Sequence, residues 1–199
     1  MAFTPRLTSD GMSGSKWWYS SGNPLYASGY GLANCTCYAY GRYAEIRGSF
    51  ANLPTGNATN WYDSATAFKR GSTPALGAII CWSSRSGNYG GHVAVVEQID
   101  SSGNIVTSNS AWRSTYFYTA SYTKASGYYC GYHNGDYYFR GFIYNDATGT
   151  SSGSSTRTRF LQEAQKHIGE SGSWTYKTSG LESGNHWCAA FVVAVAKTT

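Results

Sequence analysis

The sequence predicts an α+β domain in which a hairpin-rich antiparallel sheet carries its helices on one side. Three stretches point to it. Cys35 to Ile46 runs for about three turns without proline behind Asn34, and Tyr38, Ala39, Tyr43 and Ile46 can share one apolar face of a helix. His92-Val93-Ala94-Val95-Val96 alternates as a strand, with Val93 and Val95 on one face and His92, Ala94 and Val96 on the other. Ile105 to Trp112 follows through the turn Asp100-Ser101-Ser102-Gly103-Asn104, which makes the two runs neighbouring strands.

The remaining elements fall around these three. Gly11 to Gly31, rich in Gly, Ser, Tyr and Trp, reads as a loop wrapping the domain. A second short helix is predicted over Asn60 to Lys69 from Trp61, Tyr62, Ala65 and Phe68. Gly71-Ser72-Thr73-Pro74 then turns the chain into a strand over Ala78 to Trp82. Tyr116 to Tyr118 and Tyr128 to Tyr132 are further strand candidates, and Tyr137 to Tyr144 closes the domain near residue 146.

Composition narrows the function. Of 199 residues only 13% are charged, about half the usual quarter, while 18 Tyr, 7 Trp and 24 Gly are present. Such a surface is polar through hydroxyls and amides, which suits a wet groove for glycans or peptides. The net charge of +5 favours an anionic partner, but the basic residues form no stripe or arm of the kind that reads nucleic acid. The start Met1-Ala2-Phe3-Thr4-Pro5-Arg6 lacks the apolar core of a signal peptide, and no run of 18 apolar residues occurs, so neither export through a leader nor membrane insertion is expected. Five cysteines at 35, 37, 81, 130 and 188 have no paired spacing, which argues for a reducing compartment. Cys35, Cys37, His92 and Cys130 form no compact zinc pattern, so no metal and no cofactor is expected.

The chemistry gathers on three of these residues. Cys35 falls in the first turn of a helix, where unpaired N–H groups and the positive end of the dipole lower a thiol pKa. His92 opens a strand behind Gly90-Gly91 and can act as its base, and Asn109 on the adjoining strand can hold one imidazole nitrogen so that the other takes the thiol proton. His133, in the turn before Asn134-Gly135-Asp136, is a weaker alternative base because no valine strand stands behind it.

Asn34-Cys35-Thr36-Cys37-Tyr38, Pro74 to Trp82, Gly91 to Glu97 and Ser108-Asn109-Ser110-Ala111-Trp112, in this order, resemble a CHAP domain over roughly Asn23 to Asn145. The resemblance implies a papain-like fold and a cysteine amidase or endopeptidase acting on bacterial peptidoglycan, as in phage endolysins and autolysins. On it, Cys35 matches the nucleophile and His92 the base. Trp112 aligns Asn109 with the position usually held by Glu, and Ala111 with the family Asn. Asn34 is a candidate oxyanion donor, and Trp82 and Trp112 are candidate substrate contacts. The missing leader then favours a phage endolysin, made in the host cytoplasm and acting at the wall. A cleft without chemistry, in a wall-binding or tail-structural module, is the alternative.

Residues 147–158, rich in Ser, Thr and Gly, read as a linker. Residues 159–199 hold an amphipathic run at Phe160, Leu161, Ala164, His167 and Ile168, then Cys188 at the head of a small-residue helix. This tail resembles the opening of a second papain-like wall hydrolase domain, with Cys188 as its nucleophile; Cys188 reads equally as a small apolar residue in a docking helix. About 40 residues bury too little surface to stand alone, so further domains beyond Thr199 are expected.

Overall fold

A computed structural model describes residues 3–148; the second-domain reading over 159–199, with Cys188, and most of the linker lie outside the described residues. The chain opens with two single-turn helices, α1 (Lys16–Tyr19) and α2 (Pro24–Ala27), where the sequence predicts only loop. α3 (Cys35–Arg47) follows, then a 3₁₀ turn (Ala58–Asn60) leading into α4 (Trp61–Ser64), which stops well short of the predicted Lys69. The strands are β1 (Arg70–Gly71), β2 (Ile79–Ser84), β3 (His92–Ile99), β4 (Ile105–Asn109), β5 (Tyr118–Tyr122) and β6 (Tyr137–Ile143). All pair antiparallel in the order β1-β6-β2-β3-β4-β5, so the α+β class expected from the sequence is the one observed. Tyr128 to Tyr132 is not a strand: Tyr128 has φ 57°, a left-handed conformation that breaks extended pairing, and its ring is buried while its hydroxyl donates to the Gly103 carbonyl. Among the described residues no helix is long and apolar enough to cross a membrane.

α3 lies on one face of the sheet. Val93, Val95, Ile79, Cys81 and Ile143 pack with Tyr38, Cys37, Trp18 and Trp61 there, while Ile80, Trp82, Ala94, Val96 and Phe142 build a second core on the opposite face. Burial on both faces explains why Val93 through Val96 are all fully buried rather than alternately wet. The helix itself is enclosed from Thr36 to Ala44 because the N-terminal segment covers its outer side. Gly41 sits where a Cβ would come within 2.4 Å of the Trp18 indole, so a mid-helix glycine, ordinarily unfavourable, permits that cover to close.

One ion pair threads this core. A register shift between Val96 and Gln98 sets Glu97, fully buried, towards α3. Arg42 meets it with two bonds of 2.9 Å from Nε and Nη2, and Ser108 Oγ (2.6 Å) and the Arg6 N–H (2.8 Å) donate to the same carboxylate. Arg42 also donates to the Thr4 carbonyl (2.6 Å) and to Glu45 (2.7 Å). Replacing Arg42 by Leu strands the Glu97 charge in apolar surroundings; we expect a loss of about 3–5 kcal/mol in urea denaturation, and a loss below about 1 kcal/mol would show that the carboxylate finds water or a proton cheaply.

Candidate active site

Asn34 ends the extended approach to α3 with φ −167° and ψ 129°. Its Oδ1 accepts from the Thr36 N–H (2.9 Å), the Thr36 hydroxyl (2.8 Å) and the Cys37 N–H (3.5 Å), which is why the helix starts at Cys35. Its Nδ2 donates to the Tyr30 carbonyl (3.1 Å) and its N–H to Ser110 Oγ (3.0 Å). The oxygen is committed to the helix start, and one of the two Nδ2–H groups to the turn before it. Asn34, read from the sequence as an oxyanion donor, is also the cap that presents Cys35, and the Cys35 N–H is a further donor at this helix end.

His92 enters through Gly91, whose φ of 74° and contact with Thr59, 2.4 Å from where a Cβ would stand, admit only glycine. The imidazole Nε2 lies 3.1 Å from Asn109 Oδ1. Asn109 is fully buried, and its Nδ2 donates to the Thr107 carbonyl (3.1 Å) and hydroxyl (2.9 Å), so its oxygen is the end turned to the ring. Nε2 then carries the proton, and Nδ1 is the lone-pair nitrogen. Trp82, directly across the β2–β3 ladder, stacks on the imidazole at 5.7 Å and 26°; Tyr132 meets it edge-on at 5.2 Å. Trp82 is fully buried, with its indole N–H donating to the Tyr128 carbonyl (2.8 Å), so it walls the histidine and does not meet a substrate as the sequence reading had it. Residue types alone hide this role, because the pairing appears only with the register.

Backbone groups of Val93, the residue after His92, of Thr36 and of Cys35 itself lie near enough to the thiol to lower its pKa. Those contacts favour a thiolate, as a helix start should. Burial opposes them and wins: the thiol is pushed up to about 11 and the imidazolium down to about 4, chiefly by burial, with the Asn109 bond working the other way. Burial thus works against the low thiol pKa expected from helix position and favours a neutral thiol beside a neutral imidazole. Cys37, fully buried one turn in, goes further, to about 12, and is a core residue.

Burial of neutral His92 has a consequence for stability. Its folded value near 4 lies below the ordinary 6.5, so between those pH values the unfolded chain binds a proton that the folded chain refuses. Stability is lost as pH falls from about 6.5 towards 4, by about 2–3 kcal/mol from this group. Urea midpoints at pH 7 and 4.5 measure it, and His92→Gln should flatten the slope; an equal slope in the variant would assign the loss to other groups.

Around this centre the aromatic residues divide. Trp112 is half exposed, 6.0 Å from the exposed Tyr30, and the Arg113 guanidinium lies over its ring at 5.0 Å. The Arg113 N–H donates to the Ala33 carbonyl (3.1 Å), which holds this ledge against the turn that delivers Cys35. His133 sits in an exposed 3₁₀ turn, stacked on Tyr89 at 3.9 Å. Among the described residues no group of three His, Cys, Asp or Glu could hold a metal ion.

Comparison with known proteins finds a family match over part of the chain. Residues 25–111 match the profile of the CHAP domain. The probable autolysin LDP of Staphylococcus aureus (strain NCTC 8325 / PS 47) is 42% identical over 81 residues, which are 40% of this chain and 28% of that protein. The staphylococcal secretory antigen SsaA of the same strain is 37% identical over 89 residues, 44% of this chain and 31% of that protein. A crystal structure of N-acetylmuramoyl-L-alanine amidase from Staphylococcus aureus aligns with a TM-score of 0.41 at 26% identity, over 55% of this chain and 30% of that one. The chain thus spans under a third of the length of these two curated relatives.

Proposed function

We propose, from the match of residues 25–111 to the CHAP domain, that the protein hydrolyses an amide bond of bacterial peptidoglycan, with Cys35 as nucleophile, His92 as base and acid, and Asn109 as the group that orients His92. The observation that carries this reading is the 3.1 Å His92–Asn109 bond, beside which the backbone of Val93, the next residue along β3, favours the thiolate of Cys35.

The roles follow from the proton positions. Asn109 keeps the proton on Nε2, so Nδ1 takes the proton of Cys35 Sγ as the sulfur attacks the amide carbonyl. The developing oxyanion faces the Cys35 N–H, a type of contact worth about 10²–10³ in rate. Collapse breaks the C–N bond, and the imidazolium gives its proton to the departing amine. Water, deprotonated by the same nitrogen, then attacks the thioester, releasing a carboxylic acid and returning the thiol. Trp82 and Tyr132 exclude water from the far sides of the ring.

Purified protein mixed with purified peptidoglycan should release new amino groups in step with turbidity loss, and mass spectrometry of the digest should find fragments heavier by one water at one kind of amide. The absence of any new amino group would overturn the reading and favour a wall-binding module.

A further inference from the structure

Resting on that reading, we propose that the polar groove beside Gly90-Gly91-His92 seats the glycan strand, taking a neutral chain of N-acetylated amino sugars next to the amide that Cys35 attacks. The groove, about 490 Å³, is within the ~300–1,000 Å³ of small-ligand clefts. It is lined by Asn57, Asn60, Ser84, Asn88, Tyr89 and Tyr138. The three carboxamides have no hydrogen-bond partner among the described residues, so each offers an acceptor and two donors, the complement of hydroxyl and acetamido groups.

The rings supply the apolar half of sugar recognition. Tyr89 is exposed, and His133 stacks on its ring at 3.9 Å, which restrains it. Arg85 over Tyr138 at 4.8 Å does the same for the second ring. Rigid aromatic surfaces bind at low cost in side-chain entropy.

Charge decides between the two halves of a peptidoglycan substrate. The lining itself holds no Lys or Arg, the nearby Arg85 guanidinium lies over the Tyr138 ring, and the one carboxylate, Asp63, is paired with Arg140. Stem peptides carry carboxylates and would gain nothing here, whereas the sugars linking them are uncharged. A cation stands instead at Arg113, on the ledge tied to Ala33. The groove is also joined to the chemistry: Gly90 lines it two residues before His92, at most about 7 Å along the chain, and the Gly90 carbonyl accepts from the Thr59 N–H (2.7 Å).

The test uses a peptide-free probe, a β-1,4-linked tetramer of N-acetylglucosamine, titrated into the full chain while backbone amide resonances are followed. Saturable shifts should centre on residues 57–63 and 83–90, and Asn88→Ala with Tyr89→Ala should raise Kd by about tenfold or more. Both positions are exposed, so these changes leave the core intact, and Cys35→Ala protein should bind the probe as the parent does. Absence of saturable shifts, shifts centred on Trp112, or an unchanged Kd in the double variant would overturn the proposal. Wall digestion separates the two claims: binding without any amide hydrolysis sinks the hydrolase reading and leaves the groove, and hydrolysis without binding does the reverse.

Discussion

Cys35→Ala is expected to lower amide release from purified walls by about 10⁴-fold or more while leaving urea stability within about 1 kcal/mol of the parent. The size follows from the chemistry: without the sulfur no acyl intermediate forms, and the remaining groups can only polarise the carbonyl for water. The small change in stability follows from the position. Cys35 is half-buried at the first residue of α3, alanine is the best helix former, and the cap is made by Asn34. An active Cys35→Ala protein would remove the proposed nucleophile outright. An inactive one with a lost α3 would say nothing about chemistry, so circular dichroism should be recorded on the same sample.

The second large effect is in how Cys35 reacts without substrate. With its thiol raised to about 11, only about one molecule in 10⁴ is thiolate at pH 7. Alkylation by iodoacetamide, read on the Cys35 peptide by mass spectrometry, should therefore climb about tenfold per pH unit from 7 to beyond 9. A plateau between pH 5 and 8 would mean a preformed thiolate–imidazolium pair and would overturn the neutral resting state. Cys37 is the internal control, since it is fully buried with its thiol at about 12, and should stay unlabelled. The enzyme proposed here would then generate its nucleophile only as the amide arrives, which protects the sulfur from oxidation between turnovers.

Where local chemistry decides, the residues could be read in advance. Asn34 before a proline-free run fixes the start of α3, and Gly90-Gly91 ahead of a valine run fixes the head of β3, so the positions of Cys35 and His92 on their elements were legible. What could not be read depends on pairs remote in sequence. The stacking of Trp82 on His92 needs the β2–β3 register, and the double duty of the Asn34 carboxamide needs Tyr30 folded beside it. The one-sided apolar face assigned to α3 failed for a similar reason. Trp18, on a stretch that reads as loop, covers the outer side of the helix through Gly41, so Thr36 to Ala44 are buried all round. The burial that opposes a low thiol pKa was not legible either, because the helix start is a local property and burial is a global one.

The place of β6 in the sheet reaches beyond the finished molecule. Residues 137–143 pair with β2 on one side and β1 on the other, although the family match ends at residue 111. A nascent polypeptide that has cleared the ribosome only through residue 111 therefore has Ile79, Ile80 and Cys81 waiting for partners that are still to be translated. During synthesis the interior strand is a naked edge until Ile143 emerges, and in that interval β2 is the segment most open to capture by a chaperone or by a neighbouring chain.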